Sequence, residues 1–151
     1  MYRRQVVAGL IAVLPVSAGC TSLDGADDRE LTVSDPPAWL VTVNGCPEAD
    51  RVATLVLAEP ADFATETTAV LDYGDLSDPA ALVARFAVQH GTAATCSDVR
   101  GFSQLLDEVG DLATGPYREE HHESPDSIVI RVDSRHYRLV TFVVDDQVVV
   151  N

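Results

Sequence analysis

The sequence predicts an α+β domain, a small antiparallel or mixed sheet with two helices packed on one side and a C-terminal hairpin. Three observations lead there. Residues 79–90 and 97–109 carry apolar side chains at helical spacing. Short β-rich runs precede and follow this helical pair instead of alternating with it. The last such run, Ser127–Val132, alternates in character and is followed by turn residues and a second run.

Residues 1–19 come before that domain. Arg3 and Arg4 are the only charges ahead of Asp24, and they stand directly before an apolar run over 6–18. As a helix that run rises about 20 Å, short of the roughly 30 Å hydrocarbon core, and Pro15 would interrupt it. A signal peptide is therefore expected over 1–19, with small Ser17, Ala18 and Gly19 leaving the backbone accessible for cleavage before Cys20. Arg3-Arg4-Gln5-Val6-Val7 resembles a twin-arginine (Tat) export motif, and Val16-Ser17-Ala18-Gly19-Cys20 resembles a lipobox, with Ser17 where a larger aliphatic residue is usual. The resemblance covers residues 3–20. It implies that Cys20 becomes the lipidated first residue of a mature lipoprotein, placing the protein at the cell membrane, lipid-anchored on the extracellular face.

With Cys20 accounted for, Cys46 and Cys96 remain, an even number in a chain expected to mature outside the cytoplasm, and a disulfide between them is predicted. It would close a loop of about 50 residues and, on the chain-entropy account, stabilise the fold by roughly 4 kcal/mol. There is no CxxC, which disfavours thioredoxin-like chemistry.

Charge narrows the function classes further. The chain holds 10 basic and 24 acidic residues, and without Arg3 and Arg4 the balance is 8 against 24, a net charge of −16. All the basic residues are Arg, Lys is absent, and Asp outnumbers Glu by 16 to 8. Nucleic acid is excluded as a partner, because a phosphate backbone needs a basic stripe and the arginines are scattered. Short carboxylates hold water and expose little hydrocarbon, and at molar salt, where the Debye length is about 3 Å, their mutual repulsion is screened. The balance resembles that of proteins from halophilic archaea, in which twin-arginine export of lipoproteins is common. The acidity then reads as adaptation to solvent. An apolar content of 46% argues against disorder.

Residues 20–35 are acid-rich with little periodicity and are expected to be a lipidated acidic tether, leaving 36–151 as a single α+β domain. Within it, a strand is expected over 39–43, stopped by Asn44-Gly45, and another over 51–57, with Cys46 and Pro47 in the loop between. A third, over 67–73, ends in DYGDLSDP. The three-residue spacing of Asp72, Asp75 and Asp78 does not fit a calcium loop, which alternates its ligands. Ser77 or Asp78 as a helix cap, with Pro79 just inside the helix, explains the segment.

The helix over 79–90 gathers Leu82, Val83, Phe86 and Ala87 on one face, places His90 in its last turn and stops at Gly91. A second helix, from Ser97 or Asp98 to Val109, gathers Phe102, Leu105, Leu106 and Val109, with Gly101 weakening its first turn. A polar connection follows from Gly110. In Ser127–Val132, Ile128, Ile130 and Val132 point inward, Val129 and Arg131 outward. Residues 133–135 form a turn, 136–144 return as the paired strand, and Gln147–Val150 adds a short strand. Over residues 50–144 the chain is similar to small domains of haloarchaeal lipoproteins and cytosolic proteins, in which a DYGDLSDPA-like junction precedes a hairpin like IVIRVDSRHYRLV. That resemblance implies no activity.

One polar constellation could carry chemistry. In Arg118-Glu119-Glu120-His121-His122-Glu123, adjacent imidazoles flanked by carboxylates could hold zinc, copper or nickel if the loop folded around the ion, so His121 and His122 are the candidate metal ligands. HExxH is absent, as are GxSxG and phosphate-binding glycine loops. A nucleophilic Cys96 served by His90 conflicts with the disulfide. The function expected is therefore a membrane-anchored extracytoplasmic lipoprotein, a non-catalytic binding or interaction module of the cell envelope. A metal or small-solute binder using His121 and His122 is the alternative, and a hydrolase ranks below both. No enzyme activity and no cofactor are expected. The partners expected are the membrane, through lipid on Cys20, and an envelope protein, with the chain itself monomeric.

Overall fold

A computed structural model describes residues 33–59 and 66–150. Arg3, Arg4 and Cys20 lie outside the described residues. The architecture is α+β, as expected, with a six-stranded mixed sheet.

Strand β1 (Ala53–Ala58) alternates buried Ala53, Leu55 and Leu57 with half-buried neighbours, the period-2 pattern of a sheet with one covered face. Strand β2 (Thr68–Asp72) sends Ala69 and Leu71 to the same core. Helix α1 (Asp78–His90) follows, then β3 (Thr92–Thr95), helix α2 (Arg100–Val109), a π-helical turn (Gly110–Thr114) and helix α3 (Gly115–His121). The chain closes with β4 (Ser127–Val132), β5 (Arg135–Val144) and β6 (Gln147–Val150). The strands lie in the order β2-β4-β5-β1-β3, with β6 also on β5. Strand β5 is the hub. Its first part pairs with β4, its length from Arg138 pairs antiparallel with β1, and β6 takes up the β4-side edge from Phe142 on.

The β4–β5 pair is the predicted hairpin, its two-residue turn entered through Asp133 at φ 54°. A second hairpin joins β5 to β6 through Asp145 and Asp146, both at positive φ, the backbone that matches the twist of paired strands. Strand β2 runs parallel to β4, so the helices between them form the crossover, and β2 ends up at the sheet's edge. The core lies between the inward face of the sheet and the helices, around Phe102, Phe142, Leu55, Leu71, Leu105 and Ile130.

Helix α1 begins where Ser77 adopts extended backbone and Pro79 occupies the first turn, and it ends at Gly91 in left-handed conformation (φ 81°), whose N–H reaches the Ala87 carbonyl at 2.7 Å. Helices α1 and α2 cross at Gly101. A Cβ there would lie 3.0 Å from Val83 Cγ2 and 3.1 Å from the Pro79 carbonyl oxygen, so glycine is what permits the approach. Cys46 and Cys96 lie at disulfide distance, Cα atoms 5.9 Å apart, tying the start of the domain to the end of β3.

Several expectations are corrected. The strand expected over 39–43 is a single bridge, Val41 to Ala94, followed by a 3-10 turn at Val43–Gly45. The chain doubles back there so tightly that a Cβ on Gly45 would sit 2.9 Å from Val41 Cβ. Strand β3, TAAT, lies outside the expected strands: it is short, carries two strand-poor alanines and does not alternate, and its place between β1 and Val41 decides its conformation. Helix α2 starts at Arg100 instead of Ser97 or Asp98, because the buried Thr95 hydroxyl accepts the Ser97 and Asp98 N–H groups and holds those residues in a turn. Val129 faces away from the helices as expected, yet it is fully buried.

The largest correction concerns residues 110–121, expected as a polar connection and found helical. Leu105, Val109, Ala113 and Tyr117, each four residues apart, are all buried. Pro116 lacks an N–H and its ring crowds the carbonyl four residues back, so the helix widens into the π-helical turn just before it. Gly115 makes the widening feasible, since a Cβ there would sit 2.8 Å from the Gly110 carbonyl oxygen. Among the described residues, no helix is long and apolar enough to cross a membrane.

Candidate functional site

The π-helical turn presents α3 beside β2, the strand at the end of the sheet among the described residues, and a groove of about 360 Å³ opens between them. Its floor and one wall come from Thr68, Ala69 and Val70. Consecutive strand residues point to opposite faces, so three in a row can line one groove only along the strand's edge. The other wall is Leu112, Ala113, Pro116 and Tyr117, and acidic Glu66 and Glu120 complete the lining with His121. Leu112 is 41% exposed, one of two large hydrophobic side chains so open among the described residues.

Tyr117 fixes the helix to the strand. Its hydroxyl donates to the Glu66 carbonyl at 2.7 Å, immediately ahead of β2. Burial raises its phenol pKa, and the negative charges of Asp126, Glu123 and Glu120 raise it further, so the proton needed for that bond is retained. Thr68 Oγ1 and Ser127 Oγ share a hydrogen bond of 2.8 Å across the β2–β4 pair.

His121, predicted as a metal ligand on a loop, is the last residue of α3 and lines the groove. Its ring stacks on Tyr117 with centroids 4.2 Å apart, and its Nδ1 lies 3.1 Å from the Tyr117 carbonyl oxygen. His122 is the helix C-cap in left-handed conformation. Both imidazoles therefore sit at a helix end, and the flexible loop proposed for them is replaced by that helix. Among the described residues, no group of three or more His, Cys, Asp or Glu side chains is placed to hold a metal ion.

A second cavity, about 520 Å³, lies where α1 and α2 begin, lined by Trp39, Pro79, Leu82, Asp98 and Arg100 among others. Two of its polar groups, Asp98 and Arg100, face each other. The Arg100 guanidinium binds both Asp98 carboxylate oxygens, the shortest contact 2.7 Å, and this holds the Asp98 pKa down to about 2. Asp72, from the calcium-like stretch, is likewise committed to Arg131 by two bonds of 2.6 and 2.8 Å.

Sequence reasoning reached His121 and Glu120 but missed the apolar half of the groove. The available signal was the four-residue spacing of Leu105, Val109, Ala113 and Tyr117, obscured by Gly110 and the Gly115-Pro116 pair. No protein-family model matches the chain, and comparison with curated proteins and with solved structures finds no match.

Proposed function

We propose that the chain is an extracytoplasmic lipoprotein, anchored to the membrane through lipid on Cys20, whose single domain is a non-catalytic interaction module of the cell envelope. The observation that carries the interaction reading is the groove, where a sheet edge and exposed Leu112 and Pro116 meet. An edge strand is a template for pairing unless it is covered or charged, and Leu112 beside it adds apolar surface for a partner to bury. The lipobox-like stretch ending at Cys20 and the Lys-free acidic composition support export to a saline exterior.

Two experiments test the two halves. Cys20→Ser should release the protein into the medium or leave it unprocessed, and retained, normally processed protein would refute the anchor. A photo-crosslinking side chain at position 112 should form a discrete adduct on intact cells that the same group at position 48 does not. Equal capture at both positions would refute the groove as the contact site.

A further inference from the structure

Resting on that reading, we propose that the groove takes an extended polypeptide segment as an added strand on β2, one with a basic side chain at one end and apolar side chains at the next two positions on the same face. Among the described residues β2 is paired on one edge only, with β4. Strand addition satisfies such an edge with main-chain hydrogen bonds, leaving alternate side chains of the guest to specify the fit.

The spacing of the opposite wall matches that alternation. Leu112, Pro116 and Glu120 line the groove at four-residue intervals. Along an α-helix such an interval is about 6 Å, which applies from Pro116 to Glu120, while Leu112 to Pro116 crosses the π-helical turn. In an extended guest, side chains on one face recur about every 6.6 Å. Guest positions i, i+2 and i+4 therefore fall opposite an apolar, an apolar and an acidic residue. The sign of the last follows from the local charge. Glu66 and Glu120 line the groove, and Glu120, Glu123 and Asp126 act electrostatically on Tyr117. The groove's carboxylates repel the acidic segments that dominate a chain of net charge −14, so the guest is assigned to a different, locally basic chain. Arg29-Glu30-Leu31-Thr32-Val33 is the segment of this chain with a similar pattern, and loss of β2 protection in an Arg29→Glu variant with no peptide added would overturn that assignment. At high salt the groove's charge sets register more than affinity.

The test uses the full oxidised chain and amide hydrogen exchange. The probe is a pool of seven-residue peptides, acetyl-TXTXTRT-amide, with X sampling leucine, valine, isoleucine and phenylalanine, set against a pool with glutamate in place of arginine. At tenfold excess over its dissociation constant the basic pool should slow exchange of β2 amides about tenfold, with no such effect from the acidic pool. Glu120→Arg, an exposed position, should reverse the preference. Protection of β2 by neither pool, or by both equally, overturns the proposal. Shifts of Leu112 and Tyr117 signals without β2 protection also overturn strand addition, while leaving the groove as an interaction site. A crosslinker at position 112 that captures nothing on cells would refute the broader reading instead.

Discussion

Replacing Gly101 by alanine sets two effects against each other. Alanine in place of glycine favours a helix by about 1 kcal/mol, and burying one more methyl group adds about 0.8 kcal/mol where there is room. There is not. The new Cβ would lie 3.0 Å from Val83 Cγ2 and 3.1 Å from the Pro79 carbonyl oxygen, against ordinary contacts of about 3.5–4 Å. The second obstacle is backbone in the first turn of α1, so relief requires moving the helix. Overpacking of this kind costs about 1–3 kcal/mol, and with rigid backbone as the obstacle the upper part of that range applies. The expected net result is a loss of about 1 kcal/mol. Gly110 supplies the control: it is helical (φ −62°, ψ −53°), with nothing within 4 Å of an added Cβ, so Gly110→Ala should stabilise by about 1 kcal/mol. Denaturant titrations of both variants at molar salt measure the difference. Stabilisation of Gly101→Ala to the same extent as Gly110→Ala would refute the close crossing of α1 and α2.

The start of α1 offers a second test. The Ser77 hydroxyl is buried with no hydrogen-bond partner among the described residues, while the Ser77 N–H donates to both Glu108 carboxylate oxygens at 3.2 and 3.1 Å. Ser77→Ala should therefore be close to neutral in denaturant titration, unlike an ordinary cap, whereas Glu108→Ala should cost about 1 kcal/mol. Asp98, titrated by NMR in the folded protein, should show a pKa of about 2 that returns toward 3.8 in Arg100→Ala. Because folding depresses this pKa, the stability it brings is present above pH 4 and is lost as pH falls through about 2. Above pH 10 the sign reverses for Tyr117, whose raised pKa favours the folded state until the phenol ionises; Tyr117→Phe should remove that alkaline step. Replacing both Cys46 and Cys96 by alanine should lower stability by roughly 4 kcal/mol, the entropy of the open 50-residue loop, in the same titration.

Residues whose local chemistry is self-sufficient were legible in the sequence. Pro79 at the start of α1 and Gly91 at its end specify that helix without help, because fixed φ and left-handed backbone are properties of those residue types. The alternation in Ser127–Val132 and the Asp-rich turns likewise specified the hairpin. The disulfide pairing followed once Cys20 was set aside on its resemblance to a lipobox cysteine, which leaves Cys46 and Cys96. Half of the candidate site was visible as the Glu120-His121 stretch, but its neighbours were not. Leu112 and Pro116 acquire meaning only beside β2, which lies more than forty residues earlier in the chain.

By itself, then, the sequence determined the fold class, the first helix, the hairpin, the cysteine pairing and the acidic, Lys-free surface, all consequences of residue type and short-range period. Tertiary structure alone decided that TAAT becomes a strand, that 39–43 pairs at one residue, and that the helix continues through Gly110 to His121. In each case local preference is weak or contrary, and burial against a distant partner supplies the free energy that chooses: β1 for Thr92–Thr95, Ala94 for Val41, and the sheet core for Ala113 and Tyr117. The groove exists for the same reason, because Pro116 and Gly115 widen a helix whose apolar stripe is already held against the sheet's last strand.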